Sequence, residues 1–424
     1  MKFVNNIEKS KYQSFTNCHK KSHFLQSYEW GQFCKRAKDQ IPRYVGMEDE
    51  NGNLVATCLI LLKMTPLGYS YGYAPRGFIL DYDNYDLIKE FTNCLKKYMK
   101  EEKIIYIKFD PDIKYQTIDA DAKKVDDNDN NYRLYDFMLS LDYKHTGFYK
   151  LYEGNQPRYT FRINLKKPWE EIENKMSKSF LKSVKRSYTY NLEIDNNVNV
   201  KDFYRLIQSN SNKDGFDPHS EKYYEIFSEE MSKDNNMKYF NVTLNVKKSL
   251  EDLEEELKKL NEEVKVNKKK EADIKNRIVK CEKDLDIFKK IKEEKVVVCS
   301  LICTYTKTRA WSLYIGSDEL ANLTFAVVRS YYEAIKDAYN EGYEFFDLFG
   351  TTGDPNTSYK NLAKLHDFKR KFGDEYIEFI GEFDLVNNKF LYKLLPPLLK
   401  VYRFLRRLWW KLRLLIKILI PTML

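Results

Sequence analysis

Apolar residues recur along this chain in two rhythms, and the alternation between them predicts where strands and helices lie. Strand-like runs are "LVATCLILL" (54–62), "YSYGYAPRGFIL" (69–80) and "IIYIKFDPDI" (104–113). Between the last two, Leu87, Phe91, Leu95 and Tyr98 or Met99 are spaced for one face of a helix over about 84–100. The same order returns as "VVVCSLICTY" (296–305), "AWSLYIGS" (310–317), a helical pattern around 320–342 and "YEFFDLFGTTGD" (343–354). Each series ends on a Phe-Asp, Phe109-Asp110 in one and Phe346-Asp347 in the other. A duplicated strand, strand, helix, strand order predicts a mixed α/β protein of two units, each a sheet with helices packed on it. Taken alone, the repeat is also what coincidental runs in any α/β chain can produce.

A different pattern separates the repeats. From Val246 to Lys295 charges dominate, yet Leu250, Leu253, Leu257, Leu260 and Val264 keep one apolar seam and Ile274, Ile278, Cys281, Leu285 and Phe288 keep another. The polar joint "VNKKKEA" (266–272) between them predicts an antiparallel helical hairpin of coiled-coil type, with arms about 30 Å long. Residues 116–131, "QTIDADAKKVDDNDNN", are expected to form a polar loop, in part disordered. After Lys389 the pattern becomes that of an amphipathic helix. Its cations, among them Arg403, Arg406, Arg407 and Lys411, fall in an arc of about 160°, opposite an apolar face that carries Trp409. Such a helix is expected to lie in the interface of an anionic membrane, Trp409 and Trp410 at headgroup depth, or to dock on the protein's own core.

Charge sharpens this picture. The formal net charge of +9 is matched by nine cations and no acid from Lys389 onward, so residues 1–388 sum to zero. The globule therefore offers no compositional case for broad nucleic-acid binding. Seven cysteines without a Cys-x-x-Cys predict a reduced, metal-free protein, and five histidines show no ligand spacing. The amino terminus lacks an apolar core of signal-peptide length, which predicts a cytoplasmic protein. No phosphate-loop, dinucleotide, nucleophile-elbow or His-Glu-x-x-His motif is present. "RYVGME" (43–48), the nearest approach to a pyrophosphate loop for acetyl-coenzyme A, carries Glu48 in its last place.

Six segments in order, "HFLQSYEWGQFCK" (23–35), "YAPRGFILDY" (73–82), "IKFDPDI" (107–113), "SLYIGS" (312–317), "DFKRKFGDEYIEFIGEFDL" (367–385) and the hairpin, resemble the Fem/MurM (FemABX) family of peptidoglycan-bridge aminoacyltransferases. The resemblance implies two tandem acetyltransferase-like (GNAT-like) subdomains, 1–148 and 149–378, the hairpin 246–295 inserted in the second. A strand within 379–388, in the region of about 376–384, would return to the first, and 389–424 would be the membrane-interface tail. It also implies a reaction: an aminoacyl-tRNA ester gives its amino acid to an amine on the stem peptide of a lipid-linked peptidoglycan precursor. Aminoacyl-tRNA is then a co-substrate and no cofactor is expected. The implied partners are tRNA, the lipid-linked precursor, an anionic membrane surface at the inner face of the cell membrane, and related transferases.

Residue roles follow from matching motifs. Aminolysis of an ester needs two placed substrates, a deprotonated amine and positive charge where the oxyanion develops. From residues alone Lys369 reads as one of several solvated lysines; the family's Phe-Lys pair implies that it polarises the ester carbonyl, with Phe368 beside it. Asp110 reads either as an acceptor for the attacking ammonium's proton or as a strand-ending Asp-Pro turn. Lys35 matches a lysine that contacts the acceptor's phosphate, and Arg76, Tyr223 and Tyr314 would line the acceptor pocket. Arg370 and Lys371 would face tRNA phosphates or solvent. One departure stands out: "FDPHSEKYY" (216–224) has His219 where the family pattern has arginine, so a full, forked positive charge is missing there. The same fold acting on another membrane-associated amine, or an inactive relative serving as a membrane-bound interaction protein, are the other readings.

Overall fold

The computed structural model describes residues 1–399. The first unit runs through β1 (Lys2–Asn5), α1 (Lys9–Cys18), α2 (Tyr28–Lys38), β2 (Ile41–Glu48), β3 (Leu54–Met64), β4 (Ser70–Ala74), β5 (Ile79–Leu80), α3 (Tyr85–Glu101) and β6 (Ile104–Phe109). It continues with β7 (Lys114–Thr117), α4 (Tyr132–Ser140) and β8 (Tyr143–His145). Strands β1 to β4 pair antiparallel in sequence order; α3 then crosses over, and β6 lies parallel to β4. The crossover forms because α3 has one apolar stripe. Leu87, Ile88, Phe91, Leu95, Tyr98 and Met99 are buried, each side chain contributing about 1.5–3 kcal/mol, and Asn84 caps the first turn through its Oδ1.

The second unit begins with β9 (Tyr159–Asn164), α5 (Trp169–Lys175), α6 (Lys178–Ser187), β10 (Leu192–Asp195), α7 (Val200–Asp214), α8 (Glu221–Met231) and β11 (Met237–Asn245). After α9 (Val246–Val266) and α10 (Glu271–Phe288) come β12 (Lys295–Tyr305), β13 (Arg309–Ser317), α11 (Glu319–Thr324), α12 (Ala326–Asn340) and β14 (Phe345–Asp347). The chain ends its units with α13 (Lys360–Lys369), β15 (Glu375–Phe379) and β16 (Phe383–Val386). The plan repeats that of the first unit: β10 to β13 pair antiparallel, α11 and α12 cross over, and β14 lies parallel to β13. The single helix expected over 320–342 is two, because Phe325 takes a left-handed conformation at φ 60°. The expected two tandem α/β units of one plan, with a helical hairpin inserted in the second, are thus present.

The two sheets exchange strands. After β6 the chain leaves the first sheet, and β7 pairs with β15 at the edge of the second. After β15, three residues carry the chain back, and β16 pairs with β6 and β8 in the first sheet. The segment 375–379 therefore belongs to the second sheet, and the returning strand, β16, lies within the expected 379–388, beginning at Phe383 and not near 376. Of 116–131, the first residues finish β7 and Ile118 is buried in the second unit's core, while 119–130 form the expected polar loop on the surface.

α9 and α10 form the antiparallel hairpin. Cys281 donates its thiol to the Leu253 carbonyl, Arg277 pairs with Glu256, and Leu260 and Ile274 are buried between the arms. No helix among the described residues is long and apolar enough to cross a membrane. Residues 389–399 are helical. The interface positions Arg403, Arg406, Arg407, Trp409, Trp410 and Lys411 lie outside the described residues.

Candidate active site

Parallel pairing of β4 and β6 brings their carboxyl ends side by side, and Asp110 follows β6 directly. Its Oδ2 accepts from the Tyr73 hydroxyl at 2.8 Å and its Oδ1 from the Arg76 amide at 2.7 Å. The carboxyl group is buried, and burial pushes its pKa up to about 6 although the Arg76 guanidinium opposes the rise. Arg76 occupies the left-handed region at φ 52°. Gln26 holds this turn: its amide donates to the Pro75 carbonyl at 2.8 Å and its carbonyl accepts from the Leu59 amide. A Cβ on Gly77 would meet the Gln26 side chain at 2.9 Å, so only glycine fits there.

Lys369 sits on the other unit, at the end of α13. Its Nζ donates to the Phe349 carbonyl at 2.6 Å and the Gly350 carbonyl at 2.7 Å, and the side chain is only 6% exposed. Burial lowers its pKa to about 7, with Asp347 pulling the other way. An ammonium has three N–H donors, so one remains for a further acceptor.

A chain of contacts across the seam links these two groups. The Arg76 guanidinium donates to the Pro157 carbonyl at 2.6 Å and lies 4.1 Å from the centre of the Phe379 ring. Pro157 in turn packs so tightly on Gly350 that a Cβ there would come within 2.2 Å of it. The sequence Asp110, Arg76, Pro157, Gly350, Lys369 is thus one continuous set of contacts between the units.

Beneath it runs an ionic network that sequence reading did not find. Arg162 donates to both oxygens of Asp112 at 2.7 Å and, through Nε, to Asp347 at 2.7 Å. Burial pushes the Asp112 carboxyl upward, but Arg162 and Arg309 outweigh it and hold the group well below the usual carboxylate range. Asp347, the counterpart of Asp110 in the repeat, also accepts from Thr160 Oγ1 and the Phe349 amide, and so fixes the loop whose carbonyls hold Lys369. No local signal marked it, because Arg162 occupies an ordinary polar position of the alternating strand "YTFRIN".

A second group of residues gathers where α2 of the first unit packs on α8 of the second. The Tyr223 and Tyr314 hydroxyls are 3.1 Å apart, and the His219 ring stacks on Tyr223 at 3.8 Å. His219 is exposed overall, yet desolvation of its ring against Tyr223, and secondarily Lys38, keep its pKa below the ordinary value. Lys35 is exposed on α2. One turn further, Lys38 is half-buried, its amine 4.7 Å from the Trp30 ring centre and 5.7 Å from that of Tyr223; sequence reading passed over it. Phe349, whose carbonyl takes Lys369, lays its ring 6.1 Å from Phe24, which belongs to the same aromatic cluster as Trp30, Phe33 and Tyr223. The two groups therefore share one seam.

Three expected residues lie elsewhere. Phe368, expected beside the lysine, turns its ring onto Tyr331 and Phe372 at 5.5 and 5.1 Å, because successive helix positions point about 100° apart. Arg370 is exposed and faces Asp121 at 3.9 Å; Lys371 is exposed. Among the described residues, no three His, Cys, Asp or Glu side chains gather as a metal site.

Fold and seam define a class of protein, a two-unit α/β transferase. The chain belongs to the FemAB family, whose model matches residues 7–400, and it is an aminoacyltransferase. Aminoacyltransferase FemA of Staphylococcus aureus is 26% identical over 432 residues, covering 95% of this chain and 99% of that protein. The lipid II:glycine glycyltransferase of Staphylococcus epidermidis is 26% identical over 406 residues, covering 92% and 94%. The crystal structure of FemX shares the fold, with a TM-score of 0.75 at 24% identity over 93% of this chain and 99% of that one.

Proposed function

We propose that this protein transfers an amino acid from aminoacyl-tRNA to the stem-peptide amine of a lipid-linked peptidoglycan precursor, building the interpeptide bridge. The observation that carries this reading is the buried Lys369 amine, held by two carbonyls and left with one donor at the seam. That donor polarises the ester carbonyl and stabilises the oxyanion, in a site where water does not compete. The acceptor amine attacks; a C–N bond forms, and the C–O bond to the tRNA ribose breaks. Asp110, with its pKa of about 6, is mostly ionised at neutral pH yet more basic than an ordinary aspartate, and takes the proton from the attacking amine. The proton then passes to the departing ribose hydroxyl. Arg76 holds Asp110 and the seam in register.

On the α2 side, Lys35, Lys38 and His219 face the acceptor's phosphates, with Tyr223 and Tyr314 lining the pocket. Arg370 and Lys371 face the tRNA. The chemistry uses aminoacyl-tRNA as co-substrate and no other cofactor. The basic, acid-free segment after Lys389 would keep the enzyme on the inner, anionic membrane surface where its lipid-linked acceptor lies.

The test is transfer of radiolabel from purified charged tRNAs, each amino acid separately, to lipid-linked pentapeptide. One charged tRNA should support transfer, and Lys369→Ala should abolish it. No transfer from any of them, or undiminished transfer by Lys369→Ala, overturns the reading. Flotation with phosphatidylglycerol vesicles, comparing the full chain with residues 1–395, tests the membrane arm.

A further inference from the structure

We infer that the exposed face of α6 is the surface that takes the tRNA backbone, leading it toward Lys369; this rests on the function proposed above. The helix reads KSFLKSVKRS, four cations and no acid. Lys178, Lys182, Lys185 and Arg186 are spaced for one face, within an arc of about 100°, while Phe180, Val184 and Ser187 are buried on the other. All four cations are exposed, and none forms an ion pair among the described residues. Arg186 also lays its guanidinium 4.5 Å from the Phe325 ring centre, and neighbouring acids do not compensate the stripe. Asp374 is held by Lys167 and Lys175, and Glu333 by Arg329.

Position supplies the second argument. The Ser177 amide, at the start of α6, donates to the Lys371 carbonyl at 2.7 Å, and Phe180 packs on Phe372 at 4.7 Å. The stripe therefore begins against the backbone two residues after the lysine that would meet the ester, and extends along α6 for about 12 Å. Just past its far end Tyr188 is 55% exposed, with the Arg329 guanidinium 3.4 Å from its ring centre. Basic groups in line with an exposed aromatic ring fit a nucleic-acid backbone with an unpaired base.

The hairpin tip, Lys268 to Lys270, is the competing basic surface. It stands at the far end of a 21-residue helix, about 30 Å from the body, and α9 is laced with Glu251, Asp252, Glu254, Glu255 and Glu256. A tRNA end seated there would not bring its ester to the seam.

The experiment measures binding of a fluorescein-labelled RNA minihelix with a single-stranded CCA end, by anisotropy from 50 to 300 mM salt. K182A/K185A/R186A is compared with K268A/K269A/K270A, which removes the same charge from the hairpin tip. Loss of three backbone contacts should weaken binding at least tenfold and flatten the log–log salt slope by about 2. The KM for tRNA should rise in the same variant while that for the lipid-linked acceptor holds. The hairpin variant should keep the unaltered slope. Equal affinity and slope in the α6 variant, or the loss appearing in the hairpin variant or only toward phosphatidylglycerol vesicles, overturns the inference while leaving the transfer reaction intact. Absence of RNA binding by the unaltered protein overturns both.

Discussion

Replacing Lys369 by methionine makes the buried charge measurable. An ordinary lysine titrates at 10.5, and this one at about 7. Between those values the unfolded chain binds a proton that the folded protein does not, so stability must rise with pH across that window. The linkage amounts to about 2 kcal/mol between pH 7 and pH 9, from the two pKa values and 1.36 kcal/mol per unit. Lys369→Met removes this titration and keeps the chain length. It also orphans the Phe349 and Gly350 carbonyls, at about 1–3 kcal/mol each, but that penalty does not vary with pH. The difference between wild type and variant should therefore shift in favour of wild type by about 2 kcal/mol from pH 7 to pH 9, read from urea unfolding at both pH values. A difference that stays constant would mean that the amine titrates normally, and the argument for a desolvated catalytic cation would fail. Transfer by the same variant should fall by about 10²–10³.

The pH profile of kcat/KM should be a bell with limbs near 6 and 7, since activity requires Asp110 ionised and Lys369 protonated. Asp110→Asn should remove the acid limb and most of the rate; an unchanged acid limb would assign it to another group. Arg162→Leu leaves Asp347 buried without its charged partner and Asp112 with only Arg309, at 3.8 Å, and should destabilise the fold by about 3–5 kcal/mol in denaturant titration. His219→Arg places a permanent charge where the exposed imidazole has its pKa lowered by desolvation and Lys38, and should lower the KM for the lipid-linked acceptor severalfold at pH 8 without changing that for tRNA.

Much of this protein could be read from local pattern. The stripe Leu87, Phe91, Leu95 and the seams of the hairpin are periodicities, and periodicity is a property of neighbours in the chain. Lys369 and Asp110 were found through short motifs. Phe368 shows the limit of such motifs: adjacent in sequence to Lys369, it points into a different layer. Lys38, Gln26 and Arg162 were missed because nothing next to them in sequence distinguishes a buried or partnered polar side chain from a solvated one.

The sequence by itself determined the repeated α/β unit, the inserted hairpin and the neutral globule with a basic end, because these follow from spacing and counting. Only the tertiary structure decided that β7 leaves the first sheet to pair with β15 in the second, since strand partners are chosen by burial and hydrogen bonding across hundreds of residues. That exchange forms the seam. The seam buries Lys369 and Asp110, and desolvation there moves both titrations toward neutrality, which no local pattern encodes.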